Sequence, residues 1–243
     1  MKAFRSKILA IFFILSISFQ AKANYLVIPM DEAQKNHLKS YGIAYKALSM
    51  EIEVDWLLNY QGGAFALSYS KEIETTCRLK GVSYYIITPS QYANVLEEIS
   101  APSVNQDVVK LHKAPKIAVY SPKSKLPWDD AVTLVLTYAE IPYDVVYDQE
   151  VMNDVLPLYD WLHLHHEDFT GQYGKFWASY RNKKWYQDDV ALQEQTAKLL
   201  GFQKVSQLKL AVAKKIRDFV VGGGFMFAMC SAPDSFDIAL AAE

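Results

Sequence analysis

The chain has little cysteine: Cys77 and Cys230 are the only two among 243 residues. That number excludes a disulfide framework and leaves either one bridge or two separate thiols. Positive charge is not in excess either. Residues 1–23 hold four of the 25 basic residues and none of the 27 acidic ones, so the rest of the chain carries a formal charge of −6. A general nucleic-acid surface needs a basic footprint and is not expected here. No second long apolar run follows the first twenty or so residues, so no membrane span is expected once that segment is removed. HExxH and CxxC spacings are absent, and with them the usual metal signatures.

What is present begins at the amino terminus. Lys2, Arg5 and Lys7 precede an apolar run from Ile8 to Phe19, and Ala21-Lys22-Ala23 reads as a small-x-small cleavage site. The run is shorter than the roughly 20 residues that cross a bilayer. We read residues 1–23 as a cleaved signal peptide, with the mature chain starting at Asn24 and destined for the periplasm or the exterior. No cysteine stands at the cleavage site to take a lipid.

The pattern then alternates between short apolar runs and helical stripes in two series. Residues 24–112 give strands at Tyr25–Met30, Ile52–Leu58 and Val82–Ile87, and helices at Gln34–Met50 and Glu72–Lys80. A further helix is capped by Ser90. Such alternation predicts a parallel sheet covered by helices. Residues 100–115 read as a linker or domain crossover. Residues 113–243 resume with strands at Lys116–Tyr120, Tyr143–Tyr147, Tyr159–His165 and Phe225–Met229. Between them lie helical stripes through Trp128–Tyr138, Asp188–Leu200 and Val205–Phe219, and a last helix opens at Asp234. No strand follows to cover that helix, so the sequence reads as a carboxyl-terminally incomplete copy of a longer domain. The fold class expected is α/β, a parallel sheet with helices on both faces preceded by a smaller α/β region.

Chemistry concentrates at two strand ends. The apolar strand Phe225–Met229 runs straight into Cys230, and a helix opens about four residues later. Ligands of open α/β sheets bind at the carboxyl ends of strands. A helix amino terminus there favours a thiolate, the nucleophilic form, and backbone N–H groups beyond Cys230 could receive an oxyanion. Inert burial of Cys230 as a small hydrophobe, or a bridge to Cys77, are the competing readings.

The segment Ala228-Met229-Cys230-Ser231-Ala232 resembles the nucleophile elbow of class I glutamine-amidotransferase-like domains, which have a flavodoxin-like sheet. Their pattern is Gly-x-Cys-x-Gly, so alanines replace both glycines here. The catalytic His and Glu of that family lie well downstream of its cysteine and match no residue of this sequence. A fuller resemblance is to exported bacterial proteins that share Asp55-Trp56-Leu57-Leu58-Asn59-Tyr60, the segment His163–Gly171 and the Cys230 region. These are often labelled asparagine synthetase B. Glutamine-dependent asparagine synthetases need a cysteine after the initiator Met, where this chain has Lys2, and a Ser-Gly-Gly-x-Asp-Ser loop, which is absent. The resemblance implies an amidotransferase or amide hydrolase with Cys230 as nucleophile, inactive if its partners lie beyond Glu243, or a non-catalytic ligand-binding module on the same fold.

The second concentration is His163-Leu164-His165-His166-Glu167-Asp168, which holds three of the five histidines. Strand alternation puts Trp161, His163 and His165 on one face and leaves His166, Glu167 and Asp168 in the following loop. The plain reading is a polar loop whose histidines hydrogen-bond their neighbours. His and carboxylate groups at this density can also bind zinc or another transition metal, or can line the pocket facing Cys230 and bind a polar small molecule without metal. No metal and no cofactor is assigned. Asn59–Gly63 reads as a tight turn. Tyr173, Phe176, Trp177, Tyr180, Trp185 and Tyr186, with Arg181, Lys183 and Lys184, would suit a sugar or peptide, or a helix face packed on the sheet.

Overall fold

The structure is a computed structural model that describes residues 23–122 and 131–243. The signal-peptide reading falls on residues outside these, as does Trp128. The chain divides into two compact units, one ending at His112 and one starting at Lys113. Among the described residues no helix is long and apolar enough to cross a membrane.

The first unit contains β1 (Tyr25–Ile28), α1 (His37–Ser49), β2 (Val54–Leu58), β3 (Ala64–Ser68), α2 (Lys71–Lys80), β4 (Tyr85–Ile87), α3 (Pro89–Ile99) and β5 (Asp107–Leu111). Its sheet runs β4-β1-β3-β2-β5, and every pairing is antiparallel. The expectation of a parallel sheet is therefore wrong for this unit. The cause is the turn after β2. Asn59, Gln61, Gly62 and Gly63 all take positive φ, which reverses the chain at once and lays β3 beside β2. A Cβ on Gly62 would meet the Met30 carbonyl oxygen at 2.5 Å, so this turn needs glycine for the close backbone approach.

Strand β5 lies inside the segment read as a linker. It is an edge strand, mostly exposed, with Asp107 and Lys110 on it, and the Lys110 ammonium reaches Asp55 of the neighbouring strand at 2.9 Å. Edge strands carry such charges, which hides them from a search for apolar runs. Helix α3 is capped by Thr88, not Ser90. Thr88 and Gln91 form a reciprocal capping box with Pro89 at the first turn.

The second unit is the parallel one. It contains β6 (Ile117–Tyr120), α4 (Ala131–Ala139), β7 (Asp144–Val146), α5 (Asp148–Met152), β8 (Trp161–Leu164), α6 (Gly174–Tyr180), α7 (Lys184–Leu199), α8 (Val205–Val221), β9 (Phe225–Ala228) and α9 (Ala232–Ala241). The strand order is β7-β6-β8-β9, all parallel. The chain steps from β6 to β7 on one side and then returns to β8 on the other, so the direction of winding switches between β6 and β8.

One face of this sheet is covered. Ala118, Tyr120, Leu162 and Leu164 join Leu208, Val212 and Ile216 of α8 and Ala232 and Ala239 of α9 in one buried cluster. Those α8 positions recur at helical spacing, which makes the apolar stripe that the sheet buries. Alternation sends Phe225 and Phe227 to the opposite face, where they are 59% and 48% exposed. Helices on both faces were expected; among the described residues the second face stays open at β9.

Candidate functional site

Parallel strands deliver their next residues to one edge of the sheet, and here all four carry reactive or charged groups. Tyr120 ends β6, Tyr147 and Asp148 follow β7, His165–Asp168 follow β8, and Cys230 follows β9 by two residues.

Cys230 sits in the turn between β9 and α9 with φ +55°. A non-glycine residue in this left-handed region costs about 1–2 kcal/mol, and such strain recurs at functional turns. Neither Ala228 nor Ala232 takes positive φ, so alanine in place of the elbow glycines meets no backbone penalty. Cys230 is exposed and Cys77 buried, and both are free thiols. Inert core burial is thus set aside for Cys230. Burial pushes the Cys77 thiol up to about 12.

The loop after β8 is stitched to this turn. Met229 N–H donates to the Leu164 carbonyl at 3.1 Å, and Ala232 N–H to that of His165 at 3.2 Å. Ser231 Oγ donates to the His166 carbonyl at 3.2 Å and Ser235 Oγ to that of Glu167 at 2.7 Å. These bonds hold the histidine loop against the cysteine turn. A donor nitrogen of His165, one of His166 and Cys230 Sγ all lie within 4.8 Å of one another. The two imidazoles stack at 3.6 Å between ring centroids and 24° between planes. His165 is buried, His166 half-buried and Cys230 exposed, so the cluster opens toward solvent at its sulfur end. The Ala232 N–H is committed to His165 and to the Met229 carbonyl, so it does not point at an incoming oxyanion as the sequence suggested.

The remaining loop residues have other partners. His163 is 1% exposed and stacks on Phe227 at 5.9 Å; it packs inside instead of lining an open pocket. The Glu167 carboxylate accepts the His165 backbone N–H at 2.7 Å and so tightens the loop. Asp168 Oδ1 accepts from Thr170 N and Oγ1 at 2.8 and 2.5 Å, an Asx turn. Gly171 then meets the start of α8, where a Cβ would fall 2.6 Å from the Ser206 nitrogen. The aromatic set divides as well. Tyr186 is buried with its hydroxyl on the Tyr173 carbonyl at 2.9 Å. Trp177 is exposed, with the Arg181 guanidinium 4.8 Å from its ring centroid. Phe176 lies outside the described side chains.

Sequence reasoning missed the other half of the edge. Lys209 is fully buried and donates to Asp148 Oδ1 at 2.8 Å and to the hydroxyls of Tyr120 and Tyr147 at 3.1 Å each. Tyr120 also donates to Asp148 Oδ1 in a short hydrogen bond, while Asp148 Oδ2, also buried, has no hydrogen-bond partner among the described residues. Burial alone would pull the Lys209 ammonium down; the oxygens of Tyr147 and Asp148 outweigh it and hold it above the ordinary lysine range. Burial pushes the Tyr147 phenol up to about 12 against the lowering pull of Lys209. For Tyr120, burial and then the Asp148 charge push it well upward, and Glu167 adds to the rise. The ring of Phe169 stacks on Tyr120 at 5.3 Å, so the buried cluster and the histidine loop share one packed layer. A signal for it was available: Lys209 interrupts the stripe Val205, Leu208, Val212 and Ile216, where a lysine needs a buried anion.

At the opposite edge of the sheet a cleft of about 470 Å³ is lined by Asp154, Asp160, Lys215 and Gly222–Gly224. Its charges are already paired, Asp154 with Lys215 at 2.5 Å and Asp160 with Lys113 at 2.9 Å. The carboxyl edge remains the candidate site. Compared with protein-family models, curated proteins and solved structures, the chain matches none.

Proposed function

We propose that the second unit carries a thiol-dependent acyl-transfer site of the amidotransferase or amide-hydrolase kind, on a flavodoxin-like sheet, in an exported protein. The observation that carries this reading is the exposed, positive-φ Cys230 with two imidazoles inside 4.8 Å. Strand order supports it. Numbered by appearance the sheet reads 2-1-3-4, the order that opens flavodoxin-like sheets, whose ligands lie at the carboxyl edge. Export rests on the amino-terminal pattern alone, and amino-terminal sequencing of the product released by cells should begin at Asn24.

The chemistry follows from the pair. An imidazole nitrogen of His165 or His166 takes the Cys230 proton, and the sulfur attacks an amide carbonyl carbon. The tetrahedral intermediate collapses, the C–N bond breaks, and the imidazolium returns the proton to the departing amine. A thioester on Cys230 remains, and water or another amine then cleaves it. Glu167, by holding the His165 backbone, is a positioning residue for this step.

Incubation with activated esters and primary amides, followed by intact-mass analysis, tests the reading. An acyl adduct that maps to the Cys230 peptide, is released by hydroxylamine and is absent from Cys230→Ala supports it. No adduct under any acyl donor would favour a ligand-binding module without covalent chemistry.

A further inference from the structure

We infer that His165, His166 and Cys230 also form a site for one zinc-class divalent cation, and that metal occupancy and nucleophilic use of the thiol exclude each other. The metal site rests on the donors alone; only the second clause rests on the acyl-transfer reading.

One thiolate and two imidazoles are a borderline-to-soft donor set, which selects zinc and its neighbours over magnesium or calcium. Zinc with three protein ligands keeps a fourth position for water or an incoming ligand. The donors come from two loops that four hydrogen bonds fasten together, so the site is largely assembled before any ion arrives. Bond lengths of about 2.0 Å to nitrogen and 2.3 Å to sulfur place tetrahedral donors about 3.3–3.7 Å apart. Starting within 4.8 Å, the three atoms must close by at most about 1.5 Å on that geometry. His165 is buried, whereas His166 and Cys230 have solvent on one side, which leaves their side chains room to close these distances. On binding, the thiol gives its proton to solvent and the sulfur lone pair to the metal. The same lone pair attacks a carbonyl, so an occupied site is a silenced nucleophile.

The test uses the chain from Asn24 onward, stripped with a chelator and dialysed against zinc or cobalt. One zinc per chain is expected, with affinity reduced by about tenfold or more in His166→Gln and more in Cys230→Ser. Cobalt should give a thiolate-to-metal charge-transfer band that Cys230→Ser abolishes, and zinc should slow alkylation of Cys230 until chelator is added. Circular dichroism of both variants confirms folding. Zinc uptake unchanged in Cys230→Ser and His166→Gln, or no uptake by the wild type, would overturn the metal site. Alkylation in chelator reads the thiol by itself. Fast alkylation without zinc uptake sinks the metal site and leaves the nucleophile, whereas zinc uptake with an unreactive thiol supports the metal site and sinks the acyl-transfer reading.

Discussion

Replacing Lys209 by Met keeps most of the side-chain stem and removes the charge together with its hydrogen bonds to Asp148, Tyr120 and Tyr147. The Lys209 ammonium and the Asp148 carboxylate are 2% and 0% exposed and 2.8 Å apart. Without the lysine, Asp148 keeps the Tyr120 hydroxyl on Oδ1, and its Oδ2 has no hydrogen-bond partner among the described residues. Breaking a buried pair from one side costs about 3–5 kcal/mol. Lys209→Met should therefore lose about 3–5 kcal/mol. Adding Asp148→Asn removes the stranded charge but leaves Tyr120 an acceptor, so the double variant should recover at least about 2 kcal/mol of the loss. Urea unfolding followed by tryptophan fluorescence reads this, because Trp56 is the only tryptophan before Lys113 among the five. A loss below about 1 kcal/mol, or a double variant no better than the single, would refute the reasoning.

Two further predictions concern other parts of the fold. Hydrogen bonds from Lys71 and then Tyr69 hold Glu74 down to about 2, from an ordinary 4.5. A lowered carboxyl contributes stability above its unfolded value and loses it as pH falls through the folded one. Acid titration by carbon NMR should thus find the Glu74 midpoint near 2, and Glu74→Gln should flatten the loss of stability between 4.5 and 2. Gly171→Ala places a Cβ at φ +66° and 2.6 Å from the Ser206 nitrogen. It should cost about 2–4 kcal/mol, part backbone strain and part displaced packing, measured by thermal unfolding against an alanine substitution at Gly201, whose Cβ would meet nothing.

The sequence showed the second unit better than the first, for a physical reason. Strands β6, β8 and β9 are short apolar runs bounded by turns, and the stripe of α8 is plain. The first unit alternates in the same way, yet its sheet is antiparallel. Alternation alone does not set strand direction, and the positive-φ turn at Asn59–Gly63 does. Strand β5 escaped notice because an exposed edge strand has no apolar pattern to find. At the site, strand-end reasoning places Cys230 and the histidines at the same edge, whereas the inward turn of His163 onto Phe227 and the use of Asp168 in an Asx turn depend on contacts that spacing does not encode. Lys209 was legible as an anomaly on an apolar stripe; its partners are far away in sequence, Tyr120 at the end of β6 and Tyr147 and Asp148 at the start of α5.

Alkylation kinetics of the two thiols in the folded protein, with chelator present, test the central claim most directly. The account predicts that Cys230 reacts while Cys77 stays unmodified until the chain unfolds, and that His165→Asn with His166→Asn slows Cys230 by about tenfold or more, the scale of a lost general base. A Cys230 that resists alkylation, or one that reacts equally fast without the two imidazoles, would contradict it.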